Sequence, residues 1–129
     1  MNMKKIITSP NAPAPIGPYN QAVLSGNTLY ISGQIALDAQ TGELENSSIE
    51  AETEKVMKNL EAILEAAGLN FDHVIKSSIF LKNMNDFGKV NKVYGSRFDE
   101  ATAPARETVE VANLPKYVNV EISMIAVKG

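Results

Sequence analysis

Between Ser47 and Gly68 the chain reads "SSIEAETEKVMKNLEAILEAAG", and Ile49, Val56, Leu60, Ile63, Leu64 and Ala67 recur there at helical spacing. Ser47 followed by Glu50 is the start signal of a capping box, and Gly68 supplies a left-handed stop. An amphipathic helix of this kind cannot hide its own apolar stripe, so it has to lie on an apolar surface. The rest of the chain offers that surface as strands. "YNQAVLSGNTLYISGQI" predicts two short strands about a Ser25-Gly26-Asn27 turn, with regular structure beginning near Tyr19. "HVIKSSIFLK" from His73 predicts a third, and Arg106 to Ala112 and Tyr117 to Val127 predict two more joined through "NLPK". A second helix begins at Asn85 or Asp86, with Phe87, Val90, Tyr94 and Phe98 as its buried stripe and Asn91 on its polar flank. The order strand, strand, helix, strand, helix, strand, strand implies an α+β class: one domain over residues 1–129, with one mixed sheet carrying both helices on one face.

Composition removes several functions. With 129 residues the chain buries a sizeable core without disulfides or metals. It has no cysteine and a single histidine, His73, which excludes thiol nucleophiles and makes a zinc centre untenable. His73 reads as structural. The Asp38 to Gly42 spacing falls one residue short of a calcium loop and has too few acidic ligands, so no metal is expected. The net charge of -3, with charges scattered rather than blocked, argues against nucleic acid. No apolar run reaches membrane length, and Met1 to Lys5 is followed by "IITSPNAPAPIG" rather than an apolar core, so no signal peptide and a cytoplasmic location are expected. Residues 8 to 18 hold four of the six prolines and form a loop.

The polar face of the last two strands carries the chemistry. Arg106, Thr108 and Glu110 alternate onto one face of theirs, and Asn119, Glu121 and Ser123 onto one face of the next. If "NLPK" closes a hairpin with a two- or four-residue loop, Thr108 pairs with Glu121, Arg106 pairs with Ser123, and Arg106 and Glu121 become diagonal neighbours about 7 to 8 Å apart. A three- or five-residue loop would flip the parity. One reading of that pair is a solvated ion pair worth under about 1 kcal/mol. The other starts from a sheet covered on one side only, whose bare face, with Tyr30, Ile31 and Val127, invites another subunit. A guanidinium desolvated there is a bidentate receptor for a small carboxylate, and Glu121 would orient or deprotonate a water.

The segments "APIGPYNQAV", "YISGQI", "EAAGL", "VIKSSIFLKNMNDFGKVNKVY", "APARETVEVANLPK" and "VEISMIAV" resemble, in order and spacing, the RidA/YjgF reactive intermediate deaminases from about Pro13 to the C-terminus. The resemblance implies a chorismate-mutase-like α+β subunit in a homotrimer with a barrel-like core and sites in the clefts between subunits. It implies hydrolysis of short 2-imino acids, 2-iminopropanoate and 2-iminobutanoate released by serine and threonine dehydratases, to 2-keto acids and ammonia, with no cofactor. Residue by residue, Arg106 matches the arginine that grips the substrate carboxylate and Glu121 the glutamate that positions or activates water. Tyr19 matches a tyrosine lining the cleft, Ser32 and Gly33 match residues near the bound acid, and Asn91 matches a cleft asparagine. Thr108 stands where cysteine is usual and would contribute its backbone N–H.

Glu107, Asn113 and Ser123 also depart from the usual serine, arginine and acidic residue. Glu107 is expected to point away from Arg106. Without the family, Tyr19 packs against the prolines, Ser32 and Gly33 mark a bulge, and Asn91 is an ordinary exposed helix residue. Two rival functions stand beside the deaminase: a regulatory module that binds keto acids without turnover, and an endoribonuclease or translation inhibitor. The second is opposed by the acidic balance, the absence of a basic aromatic groove and the lack of a histidine pair.

Overall fold

A computed structural model describes residues 3–129 of the chain; Met1 and Asn2 of the basic start lie outside the described residues. Strands β1 (Lys5–Ile7), β2 (Ala22–Ser25), β3 (Thr28–Gln34), β4 (Val74–Leu81), β5 (Ala105–Glu110) and β6 (Val120–Val127) make one mixed sheet in the order β1-β2-β3-β6-β4-β5. Helices α1 (Ile49–Ala66) and α2 (Phe87–Gly95) pack against each other on one face of it, so the expected α+β layering holds. The α1 stripe of Val56, Met57, Leu60, Ile63 and Leu64 is fully buried in the same cluster as Leu29, Ile79, Ile122 and Met124.

Several local expectations shift. The cap of α1 is Ser48 rather than Ser47: its hydroxyl accepts the Ala51 N–H at 3.0 Å, while Ser47 Oγ donates to Glu45. Gly68 does end the helix, at φ 76°, with the Leu69 N–H returning to the Leu64 carbonyl. Regular structure begins before Tyr19, because Lys5–Ile7 pairs antiparallel with β2; three residues are too few to show an alternation in sequence. Tyr19 to Gln21 precede β2 rather than belonging to it. His73 is structural as read, its Nδ1 accepting the Asn70 N–H at 3.1 Å in a capping box before β4.

The last two strands do not form a hairpin. β4 lies between them, parallel to β5 and antiparallel to β6, with α2 serving as the crossover from β4 to β5. The "NLPK" segment is no hairpin turn: Pro115 opens a 3₁₀ turn, and Lys116 and Tyr117 both sit in left-handed backbone, at φ 54° and 56°. Burial explains why β6 takes the centre. Val120, Ile122, Met124 and Ala126 are wholly covered on the helix side, as suits a strand at the middle of the sheet, whereas polar β5 suits the edge.

This order overturns the pairing of Arg106 with Ser123 and Thr108 with Glu121. Ser77 of β4 lies opposite both Arg106 and Met124, and Phe80 lies opposite both Val109 and Glu121. Arg106 therefore shares the helix-covered face with buried Met124, and Glu121 points to the opposite, bare face. They are not diagonal neighbours. Ile31, opposite Met124 and buried, also leaves the bare face, where half-exposed Tyr30 and Val127 remain. Glu107, opposite Ser78, points away from Arg106 as expected and pairs with Lys76 at 3.0 Å.

The entry to β6 is held by a carboxylate with no exposure to solvent. Glu52 of α1 accepts the backbone N–H groups of Asn119 at 2.8 Å and Val120 at 3.1 Å, and the Asn119 amide at 2.8 Å. Glu52→Gln sets an amide donor against this cluster of donors. It is expected to cost about 2 kcal/mol, read as a lower urea midpoint at unchanged slope; an unaltered midpoint would show that the cluster does not hold the strand.

Candidate functional site

The first half of the site is built where β5 passes α2. Arg106 Nη1 donates to Asn91 Oδ1 at 2.7 Å, and its guanidinium carbon lies 5.6 Å from the Phe87 ring centroid and 5.1 Å from that of Tyr94. The Tyr94 hydroxyl donates to buried Ser77 Oγ at 2.8 Å, which fixes the ring beneath the cation. Burial raises that hydroxyl's pKa above its usual value, against the lowering effects of Ser77 and the Arg106 charge. Arg106 has no carboxylate in ion-pair distance among the described residues, so most of its five donors are unclaimed. Thr108, on the same face two residues on, has a buried Oγ1 with no hydrogen-bond partner.

The second half gathers on the bare face around Glu121. Its carboxyl has a pKa raised above the usual value by burial. At Ser32–Gly33 the three steps of β3 from Ile31 to Gln34 oppose two of β6, which is a bulge. Gly33 is required there by space: a Cβ would stand 2.8 Å from Glu121 Cδ and 2.9 Å from Oε2. Ser32 holds the bulge to the preceding loop, its Oγ donating to the Asn20 carbonyl at 2.7 Å and its N–H to the Gln21 carbonyl at 2.9 Å. Tyr19 accepts the Ile16 N–H on its hydroxyl at 3.3 Å. Between these groups is a cavity of about 40 Å³ whose walls include Pro13, Pro15, Tyr19, Gly33, Pro115 and Glu121.

Two clusters thus result within one chain. Tyr19, Gly33 and Glu121 line one cavity with Ser32 in the bulge behind it; Arg106 and Asn91 are bonded, with Thr108 beside them on the strand. The clusters lie on opposite faces of the sheet. Asn91 is exposed on the flank of α2 as expected, and there it aligns with Phe87 and Tyr94 in the i, i+4, i+7 pattern that the sequence already contained. Phe87 is correspondingly half-exposed beneath Arg106 instead of buried. Pro115 and Gln21 were missed, since neither stands in a pattern with chemical meaning before the loops are folded. Among the described residues no group of three or more His, Cys, Asp or Glu side chains is placed to hold a metal, and no helix is long and apolar enough to cross a membrane.

Against this geometry, the family model for Endoribonuclease L-PSP matches residues 9–128. The chain belongs to that family. Among the L-PSP proteins, a RutC family protein of Pyrococcus horikoshii is 52% identical over 126 residues, covering 98% of this chain and 99% of the relative. The 2-iminobutanoate/2-iminopropanoate deaminase of Mus musculus is 46% identical over 127 residues, covering 98% and 93%. The crystal structure of E. coli TdcF with bound serine superposes with a TM-score of 0.90 at 42% identity, covering 97% of this chain and 99% of that one. The resemblance to the RidA/YjgF deaminases thus stands; deaminase is an activity named among relatives at this level of identity, and the endoribonuclease name appears among the solved structures beside it.

Proposed function

We propose that this protein hydrolyses short 2-imino acids such as 2-iminopropanoate and 2-iminobutanoate to 2-keto acids and ammonia, in sites shared between the subunits of a cytoplasmic, chorismate-mutase-like homotrimer with a barrel-like core. One observation carries the reading: the chain holds two incomplete halves, a cation with unclaimed donors and a carboxyl with raised pKa beside an apolar cavity, on opposite faces of one sheet. A second copy laid on the bare face would bring its Arg106 to this copy's Glu121.

In the joined site Arg106, steadied by Asn91 and the two rings, takes the substrate carboxylate on its free fork. The Thr108 backbone N–H adds a donor, and its unpartnered hydroxyl faces the same side. Tyr19, Ser32 and Gly33 shape the cleft around the acid. Glu121, whose raised pKa brings it closer to neutrality, takes a proton from a water as the water oxygen bonds to C2 of the iminium. The resulting carbinolamine carries the former iminium nitrogen as an amine. Glu121 returns the proton to that nitrogen and, a carboxylate again, takes the proton of the carbinol hydroxyl as C=O forms and the C–N bond breaks; the departing ammonia then carries that proton away as ammonium. Water addition to an iminium needs neither a metal nor a covalent nucleophile, only orientation and charge stabilisation.

The serine bound by E. coli TdcF favours a second reading, a small-acid-binding module without turnover. The endoribonuclease in the family's name finds less support, because the chain is acidic and its lone histidine is occupied as a cap. The test is imine clearance: a dehydratase generates the imine in the presence of semicarbazide, and the protein is expected to suppress semicarbazone formation. Arg106→Ala and Glu121→Gln, each inactive alone, are expected to regain about a quarter of wild-type activity when unfolded together and reassembled, since one site in four then draws both intact halves. Suppression by wild type without recovery in the mixture would remove the shared site; keto-acid binding without any suppression would favour the module.

A further inference from the structure

We infer that buried Gln21 is the specificity-determining positioning residue of this site: it holds the proline loop as a fixed apolar wall and so limits the length of the acid side chain accepted. The inference rests on the proposed function, for which it names the residue that sets the limit on side-chain length.

Residues 8 to 18 pair little among themselves, the Ala12 N–H reaching the Ser9 carbonyl at 3.4 Å and the Asn11 N–H the Ser9 hydroxyl at 3.1 Å. Prolines at 10, 13, 15 and 18 remove the backbone donors with which a loop would pair its own carbonyls. Gln21 replaces them from a single side chain that is only 3% exposed. Its Oε1 accepts the Ser9 N–H at 2.6 Å, and its Nε2 faces the carbonyls of Ser9 at 3.1 Å, Ala12 at 3.2 Å and Pro13 at 2.9 Å. The same residue's carbonyl accepts the Ser32 N–H at 2.9 Å, in the bulge that presses Gly33 against Glu121. One residue therefore fixes the wall and the floor of the cavity relative to each other, while hydrogen-bonding to neither Glu121 nor Arg106.

Pro13, Ala14, Pro15 and Ile16 present the wall to the cavity. Its volume of about 40 Å³ is room for about three water-sized groups. A methyl or ethyl substituent on the reacting carbon beside Glu121 fits such a space; an isobutyl or benzyl group requires the wall to retreat. A glutamine locked by four contacts does not permit that retreat.

The experiment compares wild type, Gln21→Met and Ile16→Ala. Hydrolysis of 2-iminobutanoate is set against that of 2-imino-4-methylpentanoate, and binding of the two corresponding keto acids is measured by calorimetry. Wild type is expected to favour the shorter acid by roughly 10-fold to 100-fold. Gln21→Met, similar in volume but without the amide, is expected to reduce that ratio about tenfold, mainly by raising KM for the short substrate while kcat moves less. Ile16→Ala, which opens the wall without touching the clamp, is expected to reduce the ratio in the same direction and guards against a Gln21 variant that fails to fold. A folded Gln21→Met with an unchanged ratio, or one that loses kcat at constant KM, overturns the inference and leaves the deaminase reading intact, as does an unchanged ratio in Ile16→Ala. If wild type binds the keto acids without turnover, the deaminase reading falls and the binding ratios still decide the role of Gln21. Wild type that neither binds nor hydrolyses overturns both.

Discussion

Arg106→Ala is expected to lower kcat/KM for 2-iminobutanoate by about 100-fold to 10,000-fold, since two hydrogen bonds to a charged carboxylate are worth about 1.5–3 kcal/mol each. The guanidinium is prepared for that task. It spends one nitrogen on Asn91, lies against Phe87 and Tyr94, and has no anion of its own among the described residues. A structural arginine in a folded chain normally has its fork filled, as Arg97 does, with both terminal nitrogens on Glu54. Arg106→Lys keeps the charge but loses the planar fork and the stacking, and is expected to recover only part of the loss. Because the side chain is partly exposed on an edge strand, stability should change by less than about 1 kcal/mol. Imine clearance and urea unfolding on the same samples separate the two effects. Arg106→Ala with more than half of wild-type activity would end the assignment.

What could be read from the sequence was what local physics determines. The α1 stripe, its Gly68 stop, the seating of both helices on one face and the bulge at Ser32–Gly33 follow from spacing, from positive φ and from the need to cover apolar surface. The pairing of the last strands was not local. It depended on assuming that consecutive strands are neighbours, whereas β4, placed earlier in the chain, took the position between them. The stronger cue lay in composition: "ARETVE" is polar enough for an edge, which leaves the more apolar "VEISMIAV" to the middle of the sheet. The strand order places Arg106 and Glu121 on two faces rather than on one, so each chain contributes two half-sites where the hairpin pairing put both residues on the same side. Residue types were legible because carboxylate recognition and water activation demand them; their partners were not, because Gln21, Tyr94 and Pro115 acquire meaning only once loops and helices bring them together.

Glu121→Gln is expected to lower imine hydrolysis by about 100-fold to 10,000-fold, the range for loss of a general base, while making the chain slightly more stable near neutral pH. The two results have one cause. Burial against Gly33 and the cavity wall raises the Glu121 carboxyl's pKa, so the native state favours the protonated form more than the unfolded state does. Stability from that preference is fully present below the unfolded-state pKa and is lost as pH rises through the higher folded-state value. Glutamine stays neutral throughout, so the variant's advantage over wild type is smallest in acid, grows across that window and is constant above it. With the group only about half buried the gain is held below about 1 kcal/mol. Activity runs the other way: wild type should show an acid limb displaced above the ordinary glutamate range, as the carboxylate form becomes populated, and Glu121→Gln should show a low rate without that limb. Urea unfolding from pH 4 to 8 beside the pH-rate profile reads both. A variant that loses activity but keeps the limb would place the titrating base elsewhere, and one that is less stable than wild type at neutral pH would mean that the carboxylate is held by contacts that outweigh its burial; the predicted combination arises only if the same desolvated oxygen pair that costs the fold stability is the one that takes the proton from water.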